Sequence, residues 1–160
     1  MEQTTLYVSI LHQSLERKKE YLNKLLQLTK KQAEIAGEKD FNEDAFEDVI
    51  NEKDILINNI NEIDKGFTSV YDRVRTEVLD NQDVYKKELL AIQELIRECV
   101  DLGMEIEATE KRNKALFEQV FARGFKGIKQ VKQSKQVANR YYQSMSNGAV
   151  NDSILYDRKK

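Results

Sequence analysis

The chain has 160 residues, of which 34% are charged and 40% apolar, with a net charge of −2, no proline, no tryptophan and one cysteine. That length suggests one domain. No apolar run approaches the ~20 residues that span a bilayer, and a single cysteine cannot form an internal disulfide. The absence of proline argues against strand-and-turn folds and permits long unbroken helices, which the wealth of Glu, Lys, Leu, Ile, Gln and Asn also favours.

Residues 5–36 read as a first helix. Val8, Leu11, Leu15, Leu22 and Leu25 follow a 3-then-4 spacing, Lys18 fills one seam position, and Ile10, Tyr21, Leu26 and Leu28 widen the stripe. This is the broad amphipathic face of a bundle helix. Gly37 suits the position just past its end. Asp40 or Asn42 can then cap a second helix by accepting from its free first-turn amides.

The second helix is expected over about 43–79. Its apolar positions are Phe46, Val49, Ile50, Leu56, Ile57, Ile60, Ile63, Phe67, Val70, Tyr71, Val74 and Val78. The sustained heptad spacing implies left-handed supercoiling. Gly66 lies within the pattern, and its cost of roughly 1 kcal/mol is too small to end the helix. Asp80, Asn81 and Asp83 make the second break.

A third helix starts near Val84, with Leu89, Ile92, Leu95, Ile96, Cys99, Leu102 and Ile106 on its seam. The pattern weakens at Thr109, Glu110 and Asn113, then resumes with Leu116, Phe117, Val120, Phe121, Phe125, Ile128 and Val131. Helical character to about 145 would make this helix ~90 Å long, against ~50 Å for each of the others. The expected fold is therefore an all-α antiparallel bundle, or coiled coil, of three long helices, the third longest and overhanging. Residues 1–121 would form the core, and 122–160 a basic helical arm and polar tail of the same domain. Charge divides in the same way: residues 119–151 carry six Lys or Arg and no Asp or Glu, which leaves the first 118 residues strongly acidic.

Little in the chain suggests catalysis. His12 is the sole histidine and flanks a seam, while metal and catalytic sites need several converging groups. Cys99 falls on a seam with Ile92, Ile96 and Ile106 and reads as a small buried residue. The glycines are scattered singly and form no phosphate loop. Carboxylate pairs such as Glu47 and Asp48 read as solvated helix faces. No enzyme, metal or cofactor is expected. The lone cysteine fits a reduced, cytoplasmic setting, and the N-terminus lacks the basic-then-apolar order of a secretory signal.

Arg123, Lys126, Lys129, Lys132 and Lys135 recur by threes. Each step falls ~60° short of a turn, so the charges wind around the helix instead of forming the concentrated patch that nucleic acid favours. Phe117, Phe121, Phe125 and Ile128 form an apolar stripe beside them. Such a stripe can lie on a bilayer surface, bury a partner helix or complete the protein's own core.

The segments LNKLLQLTKKQAEIA (22–36), INEKDILINNINEIDKGF (50–67), EKRNKALFEQ (110–119) and KQSKQVANRYYQSM (132–145) resemble the FlgN-type flagellar export chaperones. The first looks like that family's leucine-rich first helix. Lys53, Leu56, Ile57 and Ile60 look like its second-helix motif. Asn113 with Leu116 and Phe117 is similar to the Asn-then-apolar pair of its last helix. The basic, phenylalanine-rich last helix and the tail DSILYDRKK depart from the family pattern, and the FliT-type chaperones of the filament cap are similar in size and helicity. The resemblance implies a cytoplasmic type III export chaperone that binds the helix-forming terminus of a late flagellar substrate, a hook-filament junction or cap protein. Its partner-binding residues would be Phe117, Phe121, Phe125 and Ile128, rimmed by Arg123, Lys126 and Lys129. The winding of the basic charges and the lack of a ~20-residue apolar run give no nucleic-acid partner and no stable membrane insertion as further expectations. The other reading is a structural coiled-coil protein acting by self-association as a homo-oligomer.

Overall fold

The heptad-patterned segments form three long helices: α1 (Glu2–Gly37), α2 (Glu43–Asp80) and α3 (Lys86–Ala122). The structure, a computed structural model, describes residues 2–39 and 41–122. No strand occurs among them. The two breaks arise from local side-chain chemistry. Asn42 holds an extended backbone (φ −93°), and its side-chain oxygen accepts the Ala45 amide at 3.1 Å, satisfying one free donor of the first turn of α2. Glu43 and Asp44 follow, where negative charge complements the helix dipole. At the other end, Asn81 Nδ2 donates to the Glu77 carbonyl at 2.8 Å, and its backbone amide donates to the same carbonyl at 3.1 Å. As expected, α2 passes through Gly66 without interruption.

Pairing across the helices defines the topology. Thr4 of α1 meets Glu77 of α2, Lys18 meets Asp64, and Gln32 meets Lys53, so these helices run antiparallel. Phe46 and Lys53 of α2 meet Phe117 and Glu110 of α3, again antiparallel. Leu15 and Thr29 of α1 meet Cys99 and Asn113 of α3, so these two run parallel. The result is an up-down-up bundle. Its first helix packs directly on both others, while α2 and α3 meet through long side chains.

Two apolar clusters fill the interior. One joins Val8, Leu11 and Leu15 to Phe67, Tyr71, Val74 and Val78, and to Tyr85, Leu89, Ile92 and Ile96. The other joins Leu22, Leu25 and Ile35 to Phe46, Val49, Ile57 and Ile60, and to Cys99, Ile106 and Phe117. Each fully buried aliphatic or aromatic side chain stabilises the fold by about 1.5–3 kcal/mol. Between the clusters sits an ion pair of the buried Lys18 with the half-buried Asp64, Nζ to Oδ1 at 2.9 Å. The seam lysine of the first helix therefore has an internal partner. Ile63, placed on the seam of the second helix by its spacing, is half-buried. The described part of α3 has 37 residues against 38 in α2; the expected overhang falls on 123–145, outside the described residues.

Candidate functional site: a polar layer inside the bundle

The 3-then-4 spacing that buries leucines elsewhere also turns five polar residues inward. Thr29 and Gln32 continue the seam of Leu22 and Leu25 in α1. Lys53 lies between Ile50 and Ile57 in α2. Glu110 and Asn113 lie between Ile106 and Phe117 in α3. Helical periodicity leaves these side chains no route to the surface. All five are at least nine-tenths buried.

Inside, they satisfy one another. Lys53 Nζ donates to Gln32 Oε1 at 2.7 Å and forms an ion pair with Glu110 Oε1. Thr29 Oγ1 donates to its own helix at the Leu25 carbonyl, 2.7 Å away, and lies 3.4 Å from Glu110 Oε1. Asn113 Nδ2 donates to the Thr29 carbonyl at 2.7 Å. Beside this layer, Thr109 Oγ1 donates to the Glu105 carbonyl at 2.8 Å and accepts from Arg112 Nη2 at 3.2 Å. Burial pushes the Lys53 ammonium below its ordinary pKa, and the adjacent Glu110 carboxylate opposes that shift. Asp64 is pushed above the usual carboxylate range by burial, against the pull of Lys18.

The layer's chemistry is structural coupling. Each of the three helices contributes a group whose partner is on another helix. Sliding any helix along its neighbour would strand a buried charge or amide, at a cost that apolar seams do not impose. Lys53 has its ammonium directed at protein oxygens.

The other titratable candidates are ordinary. His12 Nδ1 sits 3.2 Å from Glu16 Oε1 one turn along α1, with both side chains partly exposed. Cys99 is 1% exposed, and its thiol approaches the Leu15 carbonyl at 3.8 Å. That is a packing position as the sequence predicts, and buried structural thiols of this kind are unreactive. Among the described residues, no group of three His, Cys, Asp or Glu is arranged to hold a metal, and no helix is long and apolar enough to cross a membrane.

Phe117 departs from its expected place on a partner-facing stripe. It is only 8% exposed, and its ring stands edge-on to Phe46 at a centroid distance of 4.9 Å and an angle of 86°. Phe46 in turn contacts Phe41 at 5.3 Å. The reason is register: Phe117 occupies the next inward position after Glu110 and Asn113, so it closes the core. The alternative that the stripe completes the protein's own interior holds at this residue. The side chain of Phe121, and Arg123, Phe125, Lys126, Ile128 and Lys129 entirely, lie outside the described residues.

The layer is not assembled by spacing alone: Lys53 and Asn113 stand out in the sequence only as parts of family-like motifs, and Glu110 and Asn113 as a weakening of the seam. The available signal was a lysine, a glutamate and amides falling on inward positions of three helices at matching depth. No family model, no curated protein and no solved structure matches the chain.

Proposed function

We propose that this chain is a non-catalytic, cytoplasmic type III export chaperone of the FlgN type. In this reading it holds the helix-forming terminus of a late flagellar substrate, a hook-filament junction protein, unassembled before secretion. The observation that carries the reading is the position of the residues on which the family resemblance rests. Lys53 and Asn113 of the resembling segments lie in the same buried layer, together with Glu110, so those segments act together in setting the register of the bundle. The charge distribution supports the same reading: an acidic bundle is followed by residues 119–151, which carry six basic side chains and no acidic one and would steer an acidic partner.

With Phe117 assigned to the core, the client-facing stripe reduces to Phe121, Phe125 and Ile128, with Arg123, Lys126 and Lys129 at its rim. Titration calorimetry of the full chain with the C-terminal peptide of a co-encoded hook-filament junction protein tests this. Phe121→Ala with Phe125→Ala should weaken binding by more than ~2 kcal/mol, as loss of aromatic anchors does, with helix content nearly unchanged. Charge reversal at Lys126 and Lys129 should slow association and lower its salt dependence. Full affinity in the double phenylalanine variant would put the site elsewhere. No affinity in the parent chain, together with concentration-dependent sedimentation, would replace the chaperone reading with a self-associating coiled coil.

A further inference from the structure

The two halves of α3 are held by different chemistry. Its first half enters the core through Tyr85, just before the helix, and through Leu89, Ile92, Ile96 and Cys99, all buried and apolar or aromatic. From Ile106 onward the inward positions are Glu110, Asn113 and Phe117, with Thr109 beside them. Over this stretch, then, one aromatic ring and a set of polar contacts do what a run of aliphatic side chains does earlier. The polar contacts are directional. They hold one register firmly but lose their geometry with a small displacement, while apolar contacts tolerate sliding. Across the α2–α3 edge the two helices do not pack backbone to backbone, and over residues 107–117 the described bridging contacts include the Lys53–Glu110 pair and the Phe46–Phe117 rings. A segment with few buried apolar contacts is drawn from the low-stability end of a fold.

We propose that the layer of Thr29, Gln32, Lys53, Glu110 and Asn113 is a catch: it fixes the register of residues 107–117 of α3 and makes that segment the first part of the bundle to open as a unit. Opening separates Glu110 from Lys53, frees Asn113 from the Thr29 carbonyl and uncovers the Phe46–Phe117 ring pair. The inference concerns the bundle alone and does not depend on the identity of any client.

Native-state hydrogen exchange on the full chain, resolved by residue, tests it. Amides of 107–116 should exchange at least about tenfold faster than amides of 92–99 in the same helix, as a sub-global opening requires. Equal rates in the two halves would mean that α3 opens only with the whole bundle and would overturn the proposal. Replacing the charged pair by apolar side chains, Lys53→Met with Glu110→Leu, should shrink the difference to less than about threefold by giving the segment the same adhesion as the rest. Simple fraying from the end of α3 predicts no change in that variant, and such a result would also overturn the catch. Glu110→Gln alone leaves the Lys53 charge buried without its counter-ion and should widen the difference about tenfold further. If a variant fails to fold, equal rates in the two halves of α3 in the parent still overturn the proposal.

Discussion

Lys53 of α2 and Glu110 of α3 form an ion pair with side chains only 3% and 8% exposed. Taking two charges out of water costs several kcal/mol per ion, and mutual attraction recovers this only when the remaining donors and acceptors are also met. Here Gln32 Oε1 accepts a second hydrogen bond from the Lys53 ammonium, and Thr29 lies within reach of the carboxylate. The pair therefore specifies one arrangement of three helices more than it adds to stability.

Removing one partner should be far worse than removing both. Lys53→Met alone leaves Glu110 and Gln32 facing an apolar group, and should destabilise the fold by about 3–5 kcal/mol. Adding Glu110→Leu should recover most of that loss and can exceed the parent by about 1–4 kcal/mol. Urea unfolding of the three proteins measures both numbers. A single variant within about 1 kcal/mol of the parent would mean that Lys53 is hydrated in solution.

Ile60 supplies an apolar reference for that experiment. It is 2% exposed in the cluster with Leu22, Leu25 and Ile106, beside the half-buried Asn61. Ile60→Ala should cost about 2–5 kcal/mol through lost transfer energy and a residual cavity. A loss under ~0.5 kcal/mol, the size of a surface change, would place this face in solvent.

The helices and their order were legible because period and breaks are local properties. Val8, Leu11 and Leu15 announce one face by spacing alone, and the polar runs holding Asp40 and Asn42, and Asp80, Asn81 and Asp83, announce the breaks, while the contacts single out Asn42 and Asn81 within them. The second helix was expected over about 43–79 and spans Glu43–Asp80. The third was expected from Val84, but Val84 and Tyr85 lie in the turn, where Tyr85 is still buried at 3%. The polar layer was not legible because its meaning is non-local. A lysine between Ile50 and Ile57 is an oddity on one helix and becomes a partner only once antiparallel packing brings Glu110 to its depth. Phe117 shows the same limit in reverse. Its spacing from Phe121 and Phe125 suggests one continuous stripe, yet only packing decides that it faces Phe46.

Gly66 gives a test that depends on the helix itself. It is exposed within α2, and a Cβ added there would meet no atom within 4 Å. Gly66→Ala should therefore raise stability by about 0.5–1 kcal/mol, through better helix propensity and a less flexible unfolded chain. A destabilised variant would show that the α2 backbone departs from helical geometry at this point.

Asp64 makes stability depend on acid in an unusual direction. Burial raises its folded-state pKa despite Lys18 at 2.9 Å. Between the unfolded value of about 4 and the raised folded value, the folded protein holds a proton that the unfolded chain has released. Its contribution is therefore complete at low pH and is lost as pH rises through that window. Glu77 acts oppositely: the Thr4 hydroxyl lowers its folded pKa, so its contribution is lost as pH falls. Asp64→Asn removes the first effect alone. The urea midpoint of this variant, compared with the parent, should improve as pH rises from about 4 to about 6. A difference that stays flat or reverses over that range would show that the Asp64 carboxyl is solvated in the folded state.

Phe117 separates packing from binding in the last described turns of α3. Its ring is buried edge-on against Phe46, 4.9 Å between centroids, and Phe46 is fully buried. Truncating it removes a large apolar area together with an aromatic pair, the latter contributing about 0.5–1.5 kcal/mol beyond burial. Phe117→Ala should therefore destabilise the bundle by about 3–5 kcal/mol. Phe46→Ala should do the same, and the double variant should lose less than the sum, because each ring is the other's partner. Thermal melts and urea titrations of the two singles and the double give the coupling directly. Additive losses would mean that the rings do not touch in solution. A Phe117→Ala variant with unchanged stability and lost client affinity would return this residue to the partner-facing stripe and put the inward register of α3 beyond Asn113 in error.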